Sequence, residues 1–230
     1  MRKLFIACLQ QNSAMGWDIK RKVSVRYLDG RIRRLASHLR QAEPLFKEHF
    51  PRNFSLKKLR KNRVRVYHFP KSEKASEIFS WRGNSRYVSL RAGLLSKRYW
   101  AGLQYTLHGL AHSFCYLRDG ISEEVFCEHV AFSVLKKLLK GYSPKFRRRI
   151  LKSVLRITSK EYDNYYKAAQ RLTKRNPKIL VRLNAKALHR RIPIKIEKQI
   201  VYRALKGRTS SFEELDDYSV DLETGFFRPK

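Results

Sequence analysis

His108 and His112 stand four residues apart in Tyr105-Thr106-Leu107-His108-Gly109-Leu110-Ala111-His112. Side chains at i and i+4 of an α-helix share one face, so two imidazoles at that spacing can hold one metal ion. Glu124 and Glu128 repeat the spacing after Asp119-Gly120, a sequence that breaks a helix. A second helix folded back there brings a carboxylate beside the imidazoles. Two His, one carboxylate and a water make a tetrahedral zinc site with an open position. Cys115 follows His112 by three residues and His108 by seven, on the same helical face. As a further ligand it would close the site; a small thiol packed in the core is the preferred reading.

The elements that must position these groups follow from periodicity. Leu28, Ile32, Leu35 and Leu39 predict an amphipathic helix from about Arg26 to His49, with Pro44 as a candidate kink. Arg63 to Phe69 alternates like a half-buried strand, and Pro70 stops it. Glu77 to Trp81 and Arg86 to Leu90, joined by Arg82-Gly83-Asn84-Ser85, read as a β-hairpin, since Gly and Asn tolerate positive φ. Ser96 is a candidate N-cap for the histidine helix, which should run to Arg118. Ser122 is the corresponding cap for an acidic helix ending near Gly141. So short a connection predicts an antiparallel helical hairpin.

Helix, strand, hairpin, helix with paired His and helix with paired acids, across residues 26–140, resemble the minimal gluzincin metallopeptidases. The residues that carry the likeness are Tyr87-Val88-Ser89-Leu90-Arg91-Ala92-Gly93-Leu94-Leu95, the Thr106 to His112 stretch, and Glu124-Val125-Phe126-Cys127-Glu128-His129-Val130-Ala131. The resemblance implies an α+β, zincin-like metallopeptidase domain with zinc held by His108, His112 and Glu124. It also implies that Glu128 orients a ligand histidine from behind. One residue departs from the family's His-Glu-x-x-His motif: Gly109 stands where the Glu that serves as general base belongs. Such a base contributes about 10²–10⁴-fold, so the resemblance points to a site that binds zinc without ordinary peptide hydrolysis. Zinc-dependent ribonucleases with a His-Gly-x-x-His-x-x-x-x-x-His motif match less well, because their third His position is Arg118 here.

The rest of the chain is dominated by charge. Among 230 residues, 52 Lys+Arg face 19 Asp+Glu, a net charge of +33, while 43% of residues are hydrophobic. Such a chain folds and still attracts polyanions, nucleic acid first among them. Residues 141–210 hold 21 Lys+Arg against Glu161, Asp163 and Glu197. Their amphipathic segments predict a basic α-helical extension, with Thr158 and Glu161 as a capping box. There Arg147, Arg148, Arg149, Lys174 and Arg175 are the candidate nucleic-acid contacts, and Tyr162, Tyr165 and Tyr166 candidate stacking surfaces for unpaired bases.

The expected organisation is an N-terminal arm over 1–25, the zincin-like domain over 26–141, a basic helical domain over 142–209 and an acidic flexible tail over 210–230. The apolar run Leu4 to Leu9 is short for a signal peptide and reads as a strand or loose arm. Three scattered cysteines form no disulfide framework, and no window suits a membrane span, which together suggest a cytoplasmic protein. The functional expectation is a catalytically impaired, zinc-binding metallopeptidase homologue associated with nucleic acid or ribonucleoprotein, with a protein partner also open. Two alternatives stand beside it: an active metal-dependent protease or nuclease with a non-standard base, and a structural component of a ribonucleoprotein or viral assembly. Whether the protein is an enzyme stays open, with inactivity favoured because the general base is missing.

Overall fold

The computed structural model describes residues 6–7, 25–50, 55, 63–67, 77–82, 85–157, 160–207, 218–220 and 227–229. Most of the expected arm and most of the acidic tail lie outside the described residues, as do the hairpin turn at Gly83-Asn84 and the capping threonine Thr158. Eight helices carry the described fold: α1 (Val25–His49), α2 (Ala92–Lys97), α3 (Tyr99–His112), α4 (Gly120–Leu138), α5 (Pro144–Ile157), α6 (Lys160–Arg175), α7 (Ile179–Leu188) and α8 (Ile194–Leu205). No described helix is long and apolar enough to cross a membrane.

The expected α+β class is corrected: the described chain is predominantly helical and defines a helical protein. The physical reason lies in the core. Its buried apolar side chains come overwhelmingly from helices, and the extended segments add only Val64, Val88 and Leu90 among the described residues. Ile6–Ala7, Arg63–Tyr67, Glu77–Arg82 and Ser85–Arg91 (β1 to β4) pair in the order β1-β2-β4-β3. β2 lies parallel to β4, Val64 opposite Val88, and β3 antiparallel to it, Phe79 opposite Val88.

The chain divides into two compact units. The first comprises Met1–Glu48, Phe54–Ser113 and Ala131–Ile157. Here α3 is buried almost all round, the expected state of a helix whose sequence is apolar on every face. Gly102 belongs to that packing: a β-carbon there would stand 3.4 Å from the Leu95 backbone, at the near edge of ordinary contact. At the start of α3, His38 of α1 shares a 2.6 Å hydrogen bond with the Tyr99 hydroxyl, and Arg34 lies 4.9 Å from the Tyr99 ring. Burial and then Arg34 hold the His38 imidazole below its ordinary value.

The second unit comprises His49–Asn53, Phe114–Val130 and Thr158–Lys230. Phe50 packs on Phe114 and Phe126 with ring centroids 5.1 and 5.5 Å apart. Its helices α6 to α8 turn apolar faces inward, and Tyr165 and Tyr166 lie on that buried face with Ala168, Ala169 and Leu172. Neither tyrosine offers a ring to an unpaired base. Tyr165 instead donates to Glu161 at 2.6 Å, and burial followed by that contact pushes its hydroxyl well up.

Candidate metal centre

The histidine pair is set by the last turn of α3. His108 is 3% exposed and His112 half-buried. Their Nε2 atoms lie 3.1 Å apart, with the rings inclined at 70°. Two nitrogens each about 2.0–2.1 Å from a tetrahedral ion stand roughly 3.3 Å apart. The two nitrogens, in hydrogen-bond contact in the metal-free site, are therefore already close to the spacing that one shared ion requires. Glu124 joins them: one ligand atom from each of His108, His112 and Glu124 lies within 4.8 Å of the others. These residues form a candidate metal-binding triad, with two neutral nitrogens and one carboxylate as donor set.

The remaining site residues fall around this group in different ways. Gly109 is buried in α3 and brings no carboxylate. Glu128, one turn beyond Glu124, is fully buried and contributes no atom to the ligand group. Cys115 is also outside the group. It is half-buried and hydrogen-bonds the thiol of Cys127, which is fully buried; burial first and that contact second push the Cys127 thiol well up. Both cysteines are free.

The helix was expected to run to Arg118, and it stops at His112. Between there and α4 the backbone turns, and distant side chains satisfy it. Asn184 of α7 accepts the Tyr116 N–H at 2.7 Å and donates to the Phe114 carbonyl at 3.0 Å. Glu197 of α8 is fully buried and its Oε1 accepts the N–H groups of Arg118 and Asp119 at 3.0 and 2.9 Å. Arg118 in turn donates to the Ile192 carbonyl. Asp119, not Ser122, caps α4: its Oδ2 accepts the Ser122 N–H at 3.0 Å and hydroxyl at 2.8 Å. The helix that carries Glu124 thus starts from a turn held by the two helices α7 and α8.

Sequence reasoning missed Asn184 and Glu197. A lone acid in a strongly basic stretch was the available signal for Glu197. Burial pushes its carboxyl above the ordinary range, against the two N–H donors and Arg118. A carboxyl raised in the folded state binds protons more tightly there than in the unfolded chain. Its ionisation therefore costs stability as pH rises from the ordinary carboxylate value through the raised one. Replacing it with alanine strands the buried Asp119 N–H and the part-buried Arg118 N–H, and a loss of about 2–3 kcal/mol is expected in denaturant unfolding. Glu197→Gln should keep an acceptor and flatten the pH dependence of stability over that acid window.

The nucleic-acid candidates are dispersed. Arg147, Arg148 and Arg149 lie on α5 in the first unit, with Arg148 and Arg149 exposed, while Lys174 is exposed on α6 in the second. The Arg175 side chain lies outside the described residues. No family model, curated protein or solved structure matches the chain.

Proposed function

We propose that the protein is a catalytically impaired, zinc-binding homologue of the metallopeptidases its motif resembles, working as a nucleic-acid-associated module. The observation that carries this reading is the convergence of His108 and His112 of α3 with Glu124 of α4 within 4.8 Å, while Gly109 stands on α3 where the general base would be. Bound zinc would supply a Lewis acid and an activated water. This chain's residues supply the ligands and a buried helical frame, but next to His108 nothing takes the water's proton. Chelator-sensitive cleavage of unfolded protein and of peptides should be absent; its appearance would contradict the impairment.

The association with nucleic acid rests on the net charge of +33. Binding to an oligonucleotide of arbitrary sequence is expected at about 10⁻⁴–10⁻⁶ M near physiological salt, with log K falling linearly against log salt concentration. Titration at three or more ionic strengths checks this, and a flat response would point to a protein partner instead.

A further inference from the structure

We propose that the α4–α5 corner binds single-stranded nucleic acid, its phosphates meeting the Lys and Arg side chains around a cavity and its bases lying on a neighbouring aromatic cluster. This rests on the nucleic-acid reading above and gives it a place and a strand preference. The cavity measures about 380 Å³, inside the usual range of ligand sites, about 300–1,000 Å³. Lys136, Lys137, Lys140, Arg147 and Arg148 line it, and no acidic side chain does. Lys137 is paired with Glu48, whereas Lys140 and Arg148 are exposed. Leu139, Pro144 and Leu151 complete a lining that is mostly apolar, the aliphatic stems of the cationic side chains included, which suits a sugar or base edge beside phosphates held by their charged ends.

The second observation is an aromatic cluster that includes Tyr142, between α4 and α5, and Phe146, the neighbour of the cavity-lining Arg147. Tyr142 and Phe146 stack with centroids 5.1 Å apart, and Trp100 meets both edge-on at 5.7 and 6.4 Å. All three are half-buried, so each leaves part of its ring to solvent. Arg149 stands 5.9 Å from the Phe146 ring and Arg34 5.3 Å from that of Trp100, so cations rim the aromatic group as well. Stacking on aromatic rings within a basic groove is how unpaired strands are held without sequence preference. A duplex hides its base faces and can use only the cations. A lipid surface fits less well, because the one exposed large apolar side chain among the described residues is Ile194, on α8, not here.

The test uses the full chain with a fluorescent oligothymidylate of about twelve nucleotides, a duplex of equal length and phosphoinositide-containing vesicles. The single strand should bind more tightly than the duplex and quench tryptophan emission, with the quenching lost in Trp100→Phe. Lys140→Gln/Arg147→Gln/Arg148→Gln should weaken binding at least about tenfold and reduce the salt slope by about 2. Arg147→Lys/Arg148→Lys should retain the slope, which separates charge from folding. An unchanged affinity in the glutamine variant would overturn this placement while leaving nucleic-acid binding intact. Preference for the duplex would overturn the stacking role. Capture by vesicles with no binding of either oligonucleotide would overturn both the site and the nucleic-acid reading.

Discussion

Alanine at His108 or at Glu124 is expected to take bound zinc from one ion per chain to none at micromolar metal. Each substitution removes one of the three proposed ligands, whose atoms lie within 4.8 Å of one another, and two ligands do not hold zinc against water and buffer. His108 adds a second consequence. It is 3% exposed and faces His112 at 3.1 Å, so its loss also leaves a cavity in a buried helix. Glu124 is half-buried and lacks that complication, which makes Glu124→Ala the cleaner variant. Glu128→Ala should retain the ion and weaken it about 10–100-fold, the cost of disturbing a group that supports a ligand. Saturating zinc at about a thousand times its Kd should raise the unfolding free energy of the unaltered chain by about 4 kcal/mol and leave the Glu124 variant unmoved. Titration calorimetry with thermal unfolding reads both effects.

Glutamate at position 109 is expected to create chelator-sensitive peptidase activity, about 10²–10⁴-fold above that of the unaltered chain. The carboxylate would follow His108 directly, the position of the general base in the motif, while the three ligands stay in place. From the sequence, replacing a mid-helix glycine with a better helix former should also stabilise α3 by up to about 1 kcal/mol. The structure reverses that part of the expectation for the metal-free protein. Gly109 is buried within an apolar helix, and an ionised carboxylate there loses its water. Without metal, Gly109→Glu should therefore be less stable than the unaltered chain, and zinc should recover the loss by pairing the new carboxylate with a metal-bound water. Silence from the zinc-loaded variant would mean that the protein lacks a cleft for peptide.

Local pattern made much of this helical chain legible. The repeat of Leu28, Ile32, Leu35 and Leu39 located α1 to within a residue, and Pro44 lies inside that helix as expected. The expected basic helical extension is helical as well, with Ile194–Leu205 as its last described helix, α8. The paired His and the Glu124 carboxylate were also readable, because i, i+4 spacing and one helix-breaking turn suffice to bring them together. What failed depended on distant partners. The end of α3 at His112 could not be read from Ser113 to Arg118, since the acceptors for that turn are Asn184 and Glu197, more than sixty residues away. Tyr165 and Tyr166 look like surface rings in a basic stretch, and the apolar face of α6 buries them. The α+β class came from strand-like alternation and from the family resemblance, whereas helix packed on helix supplies nearly all of the core.

The most direct test of the central claim is elemental analysis of protein purified without a histidine tag, incubated with zinc and dialysed to remove loosely held ions. One zinc per chain, lost in Glu124→Ala, is the predicted result. Metal-free protein, or an equal zinc content in the Glu124 variant, would contradict the assignment of His108, His112 and Glu124 as a zinc centre.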